Sequence, residues 1–437
     1  MAARQGILLL KSAKPRGWLA ALVLVPLFSA EAHAGFPEGR AAYLRGDYAG
    51  AFREFKPYAE KGEAEVQATL GYLYDTGRGV TEDDAAAARW YRRAADQGNA
   101  AAQNNLGLMY MAGRGAPKDP ALAVQWYRKS AEQGFPNAED NLGYAYSQGL
   151  GVDRDEAEAA KWYRKAAERG FAGAQANLGT MYLTGRGVGK DEREAARWFR
   201  KAALQGDARA QNGLGYLYAS GRGVARNDAE ATRWFARAAE QGDAKGEYSL
   251  AIMDIKTRAA DPYAEAAKRY RRAAEANDAD AQAALAYLYA SGRGVERDDA
   301  QAADWYRKAA AQGHAMAQYN LGLMYANGVG APRDDAAAVR LFRQAAEQGY
   351  APAQYGLGDF LLNGRGAARD GLAAAKWYRL AGEQGYAPAQ YRLGMMYRSG
   401  QGVQKDSAEA QKWLRRAAQQ GNVEAKRALN DTGDSAN

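Results

Sequence analysis

Cysteine is absent from this 437-residue chain, which removes disulfides, thiolate metal sites, thiol chemistry and lipid attachment through cysteine in one step. Histidine is almost as scarce. Only His33 and His314 occur, so zinc has neither the imidazoles nor the thiolates it needs, and serine has no base and orienting group with which to form a nucleophilic triad. Long apolar stretches are missing apart from Trp18 to Phe28, which is too short to span a bilayer comfortably. A one-sided charge is missing as well: 59 basic residues face 51 acidic ones, a weaker excess than a nucleic-acid surface calls for.

The short apolar run has Lys11, Lys14 and Arg16 ahead of it and Ala32-His33-Ala34 behind it, which is the layout of a secretory signal peptide. Cleavage after Ala34 would start the mature chain at Gly35, leaving no stable membrane insertion. A retained anchor is the alternative, opposed by Pro26 inside the run.

What the chain has in abundance is a period. Leu70-Gly71, Leu106-Gly107, Leu142-Gly143, Leu178-Gly179 and Leu214-Gly215 recur every 36 residues, and Leu321-Gly322, Leu357-Gly358 and Leu393-Gly394 resume that spacing after a one-residue shift. Units that cannot bury an apolar face alone must stack on their neighbours, so the period predicts a solenoid. Such a body offers long faces to macromolecules and seldom builds the enclosed polar pocket that chemistry requires.

Each unit reads as two helices. In the first, a small residue, a leucine and a tyrosine sit four apart, as in Ala102, Leu106 and Tyr110, on one buried stripe. The glycine after the leucine predicts close approach of a neighbouring helix. The second helix carries Trp162-Tyr163 with Ala159, Ala166 and Ala167, and its equivalents, as core. Gly98, Gly134, Gly170, Gly206 and Gly242 are placed to end it. Between the helices runs a loop such as Gly77-Arg78-Gly79-Val80; it follows a helix and lacks a Gly-Lys-Ser/Thr ending, so it is no nucleotide cradle. Acids such as Glu82-Asp83-Asp84 and Glu296-Arg297-Asp298-Asp299 open the second helices as caps, while Arg92-Arg93 and Arg164-Lys165 lie late in them, the arrangement that suits the helix dipole.

The order Leu-Gly, Tyr, Gly-x-Gly-Val, Ala, Trp-Tyr, Ala-Ala, Gly resembles the Sel-one-like repeat, a relative of the tetratricopeptide repeat. The resemblance implies an all-α, right-handed α-α superhelical solenoid of about eleven helix-turn-helix repeats. Residues 35–62, with Arg45-Gly46-Asp47-Tyr48, make a tetratricopeptide-like opening unit. Ten repeats then fill 63–421 in steps ending at 98, 134, 170, 206, 242, 277, 313, 349, 385 and 421, and a closing helix and tail take 422–437. Unit 243–277 departs from the pattern, with Asp254 for the stripe tyrosine, Arg269-Tyr270 for Trp-Tyr and no Gly-x-Gly loop. It reads as drift in a tolerant internal unit, with a partner-specific bend as the alternative.

The resemblance also implies adaptor work on protein or peptide partners, and the composition and loops read above add the expectation of no cofactor, metal or nucleic acid. A periplasmic or secreted scaffold of a bacterial envelope is the expectation. A secreted effector binding host proteins is the alternative, and an envelope hydrolase using paired carboxylates ranks third. In the geometry the resemblance implies, first helices line a concave face, and positions two before and two after each Leu, about 200° from the leucine stripe, lie exposed on it. Tyr72, Tyr144, Tyr216 and Tyr287 follow the leucine; Tyr248, Tyr319, Tyr355 and Tyr391 precede it. These eight are the candidate partner-binding residues, the alternative being that the rings pack against adjacent units. His314, standing where other units place Asn99, Phe135 or Tyr350, is expected to have a surface or packing role.

Overall fold

A computed structural model describes residues 36–257 and 262–430. The expected signal peptide, residues 1–34, lies outside the described residues. The chain divides into two units, Met1–Arg226 and Asn227–Asn437. In the first, α1 (Pro37–Leu44) and α2 (Tyr48–Glu60) precede the pairs α3 (Ala64–Thr76) and α4 (Asp84–Asp96), α5 (Ala100–Ala112) and α6 (Pro120–Glu132), α7 (Pro136–Gln148) and α8 (Glu156–Glu168), and α9 (Ala172–Thr184) and α10 (Glu192–Leu204), then α11 (Ala208–Ser220). In the second, α12 (Asp228–Glu240) leads to α13 (Ala244–Thr257) and α14 (Pro262–Glu275), α15 (Ala279–Ser291) and α16 (Asp299–Ala311), α17 (Ala315–Asn327) and α18 (Asp335–Glu347), α19 (Ala351–Asn363) and α20 (Gly371–Glu383), α21 (Ala387–Ser399) and α22 (Ser407–Gln419), and finally α23 (Val423–Asn430). Every regular element among the described residues is a helix, as the repeat pattern predicts.

Local chemistry sets the boundaries. First helices stop on a left-handed glycine, Gly77 at φ 64° after α3 and Gly113 at φ 71° after α5, a conformation costly for any residue with a Cβ. Second helices start on a carboxylate cap: Asp83 accepts the Ala86 N–H at 2.8 Å, and Asp119 the Leu122 N–H at 2.9 Å. The acids therefore do cap helix starts.

Packing within a pair turns on the glycine after the leucine. A Cβ on Gly71 would stand 2.6 Å from the Tyr91 ring of α4, and one on Gly107 would stand 2.6 Å from Tyr127 of α6. The missing side chain is thus the seat for the second helix's aromatic ring. Tyr91, Tyr127 and Tyr378 are fully buried there. The tryptophan beside that ring is less uniform: Trp413 is buried, whereas Trp305 is only half-buried, with the Lys308 ammonium 3.7 Å from its ring centroid. Basic residues three positions after tryptophan also cap Trp126 and Trp162, at 4.1 and 3.9 Å. The late basic pairs thus shield indole faces as well as facing the helix dipole.

A glutamine pair 30 residues apart closes a helix pair, and the earlier glutamine stitches it to the pair before. Gln97 donates to Gln67 Oε1 at 2.8 Å, and Gln67 in turn donates to the Ala59 carbonyl at 2.9 Å. The motif returns as Gln133 to Gln103, Gln205 to Gln175 and, in the second unit, Gln348 to Gln318 and Gln384 to Gln354. The loop arginine makes a second stitch. Arg114 reaches Asp84, 30 residues earlier, at 2.5 Å, and Arg365 reaches Asp335 at 2.8 Å. Beside it the loop's second glycine closes on backbone: a Cβ on Gly115 would lie 2.0 Å from the Asp84 carbonyl oxygen. The Gly-Arg-Gly loop is a repeat-to-repeat joint.

The irregular unit keeps its helix pair, with Tyr270 buried against it, and places charge at the two altered positions. Arg269, at the tryptophan position, donates to Asp254, at the stripe-tyrosine position, at 2.6 Å, and Arg272 holds Glu247 at 2.7 Å. Two departures that look independent in the sequence are one ion pair.

Candidate protein-binding surface

The face of interest is the side of the first helices that does not meet their own second helix. Two spacing rules organise it. A residue two before the leucine meets the residue 37 positions later, on the next first helix: Asn141 donates to Asn104 at 2.8 Å, Asn177 donates to Asp140 at 3.1 Å, and a Cβ on Gly356 would lie 3.6 Å from the Tyr319 ring. A tyrosine two after the leucine meets the loop arginine six positions on: Arg78, Arg222 and Arg293 lie 5.7, 5.6 and 5.8 Å from the ring centroids of Tyr72, Tyr216 and Tyr287.

These rules sort the eight candidate tyrosines. Tyr216 and Tyr287 are the exposed ones, each at 46%, and the Tyr216 hydroxyl accepts Arg222 at 2.9 Å. Tyr144 is half-buried. Tyr72, expected on the surface, is only 5% exposed. Arg78 lies over both its ring and that of Tyr48, which is itself edge-on to Tyr43 at 5.2 Å, so the opening helices contribute the cover that other tyrosines lack. Tyr248, Tyr319, Tyr355 and Tyr391 are half-buried. Tyr248 leans on Tyr270 at 5.5 Å. Tyr319 lies 5.7 Å from Phe342 and 5.7 Å from Tyr350; Tyr355 lies 5.7 Å from Tyr378 and 5.6 Å from Tyr386. In the second unit these rings form an aromatic row over α17 and α19.

Burial pushes the Tyr319 hydroxyl up to about 12, and Tyr355, Tyr350 and Tyr386 move the same way for the same reason. All stay neutral and able to donate at physiological pH. Within the row Asp359 accepts the Tyr378 hydroxyl at 2.5 Å and lies 3.5 Å from Arg392.

The corresponding positions in the first unit carry amides. Asn104, Asn105 and Asn141 are buried, and Asn104 donates to Asn105 at 3.1 Å. Burial pushes the neighbouring Asp140 up to about 6, against the pull of its bond from Asn177 and of Arg209. The sequence reading passed over this row. Its signal was present: the two residues before Leu106, Leu142 and Leu178 are Asn-Asn, Asp-Asn and Ala-Asn.

Other candidates have structural employment. His314 Nδ1 accepts the Ala317 N–H at 3.2 Å as the cap of α17. No group of three metal-ligating side chains occurs among the described residues, and no described helix is long and apolar enough to cross a membrane.

Comparison with known proteins follows the same architecture. No curated protein matches the chain. Among solved structures, c5321, a protective antigen present in uropathogenic Escherichia coli strains displaying an SLR fold, is 36% identical over 88% of this chain and 91% of its own, with a TM-score of 0.54. A Sel1 repeat protein from Oxalobacter formigenes is 32% identical over 72% of this chain and 93% of its own, with a TM-score of 0.50. The Sel1 repeat model matches nine segments, 64–99, 100–135, 136–171, 172–207, 208–243, 279–314, 315–350, 351–386 and 387–422, skipping the unit in which the Arg269–Asp254 ion pair takes the tryptophan and stripe-tyrosine positions. Sel1 repeat solenoids typically mediate protein–protein interaction. From its period, its helix pairs and these matches, the chain belongs to the Sel1 repeat family.

Proposed function

We propose that this protein is an exported, non-catalytic scaffold of a bacterial envelope, periplasmic or secreted, that engages partner proteins or peptides on its first-helix face. The observation that carries the reading is made in each unit by itself: Tyr216 in the first and Tyr287 in the second are large amphipathic rings left 46% exposed at equivalent repeat positions and steadied by Arg222 and Arg293. A ring held in place loses little entropy on binding, which is what makes tyrosine an effective contact. The reading is also supported by where the acids go: those at second-helix starts serve as caps and arginine partners, which argues against paired-carboxylate hydrolysis. Export is supported by the basic, apolar and small-residue order of positions 11–34.

The test is crosslinking in the native host followed by partner identification, comparing the parent chain with Tyr216→Ala/Tyr287→Ala. Loss of the crosslinked partner at an unchanged melting temperature is the expected result. Undiminished capture by the double variant would remove the tyrosine face from the reading, and recovery of the exported protein with Met1 still attached would remove the cleaved signal.

A further inference from the structure

Second helices have a regular outer chemistry. Three positions after the tryptophan a cation lies on the indole face, Lys129 on Trp126 and Arg237 on Trp234 at 4.1 and 4.6 Å from the ring centroids. The cation before the tryptophan pairs with an acid three residues earlier, Lys161 with Glu158 at 2.8 Å and Lys412 with Glu409 at 2.6 Å. The arginine two after the tryptophan donates to a tyrosine 18 residues on, as Arg164 does to Tyr182 at 2.7 Å. In the second unit α18 and α20, both packed on α19, between them lose all three matches. Leu380 follows Trp377 by three, Ala337 and Ala373 stand where the acids of Arg340 and Lys376 belong, and Leu361 takes the place of the tyrosine for Arg343. Arg340, Arg343 and Lys376 are exposed, and their side chains make no ion pair or hydrogen bond among the described residues. Leu372, where most repeats have alanine, is 57% exposed and Leu380 45%, beside a half-buried Trp377.

We propose that the outer face of α18 and α20 docks an acidic amphipathic helix of a partner protein. This surface is separate from the first-helix tyrosines and goes beyond the reading built on them. Its apolar part is a stripe: Leu372, Lys376 and Leu380 are spaced four apart and so share one side of α20, with Trp377 next to them. Leucines of a visiting helix would cover that stripe. Charge complementarity sets the sign of the rest. The nearby acid Asp335 is already held by Arg333 and Arg365 at 2.9 and 2.8 Å, and Arg379 is engaged by the Tyr397 hydroxyl. That leaves Arg340, Arg343 and Lys376 open to carboxylates from outside, with Glu347 and Glu383 as the acids at the far ends of the same two helices. A partner's acids would meet these cations without breaking an ion pair that the chain has made. An anionic bilayer calls for a denser basic cluster, about four to eight residues, and a wholly apolar partner would leave the cations unmatched.

The test uses the full-length chain and a defined probe, a fluorescein-labelled peptide of three copies of Glu-Leu-Ala-Glu, whose leucines repeat every four residues, followed by fluorescence anisotropy. The probe should bind saturably, while versions with serine for leucine or lysine for glutamate should bind about tenfold more weakly or worse. Leu372→Ala/Leu380→Gln removes the apolar stripe without changing charge and should weaken the probe about tenfold. Ala373→Glu gives Lys376 the partner that its counterparts have and should weaken it about threefold. Both variants copy residues that other repeats carry at these places, so melting temperatures should hold. Tyr216→Ala/Tyr287→Ala should leave probe binding as it is. Equal binding by the leucine variant, equal binding of the lysine peptide, or recruitment to phosphatidylglycerol vesicles with no binding of the probe overturns the docking face and leaves the first-helix reading in place.

Discussion

Arg169 donates to Glu139 across 3.2 Å at the place where neighbouring repeats join glutamine to glutamine. The exchange is not neutral. Gln103 and Gln175 each donate to a carbonyl eight residues earlier, whereas an ionised Glu139 has no proton to give, and its Oε2 is buried without a partner. Restoring the common pair with Glu139→Gln/Arg169→Gln should therefore raise stability by about 1–2 kcal/mol, one buried acceptor satisfied and one stitch regained. Arg169→Gln alone should lower it by about 1–3 kcal/mol by leaving the carboxylate without its cation. Urea denaturation of the three variants reads both effects.

The same site gives a pH dependence. Burial raises the Glu139 pKa above the ordinary glutamate value, with Arg169 and Lys165 pulling it down and Glu168 adding to the rise. A folded-state pKa above the unfolded one means the folded protein binds the proton more tightly. The penalty is thus full above the folded pKa and is relieved as pH falls through it. The melting-temperature advantage of the double glutamine variant should shrink between pH 7 and pH 4.5; an advantage that grows on acidification would contradict the assignment.

Three glycines separate space from backbone conformation. Gly107→Ala pushes a methyl into the Tyr127 ring, and overpacking of this kind costs about 1–3 kcal/mol. Gly98→Ala meets no atom within 4 Å but must hold φ 91°, a cost of about 1–2 kcal/mol. Gly115→Ala meets both problems, with φ 64° and a backbone oxygen at 2.0 Å. Thermal melts should rank Gly115→Ala as the most damaging of the three.

Arg114 should prove worth more than its counterpart Arg186. It pairs with Asp75, whose side chain is fully buried and whose pKa is raised by burial against the pull of Arg114. Arg114→Ala should cost about 3 kcal/mol by stranding that charge, with partial recovery in Arg114→Ala/Asp75→Asn. Arg186 is itself half exposed and meets Glu156, which keeps a second cation in Arg154, so its removal should cost under about 1 kcal/mol. Denaturation midpoints distinguish the two.

The repeat plan was legible because each of its marks has one physical job: the glycine after leucine seats a ring, the loop glycines turn or approach backbone, and the aspartates cap. The face was legible only in part. Whether Tyr319 or Tyr72 is open depends on residues 37 ahead or in the preceding unit, Gly356 in one case and the Tyr43–Tyr48 pair in the other. Helical rotation places a side chain relative to its own helix and says nothing of what the next repeat lays over it. The amide row escaped for the same reason: Asn104 and Asn141 are unremarkable apart and become a feature when the fold brings them to 2.8 Å.

The glutamine and loop-arginine stitches share a direction. In each, the donor belongs to the later repeat and the acceptor to the earlier one, as in Gln67 to the Ala59 carbonyl and Arg114 to Asp84. A chain that emerges N-terminus first, from a ribosome or through a translocation channel, would therefore meet at every step a finished template with its acceptors already in place. Each new repeat brings its own fasteners, and the growing end is the only part that waits.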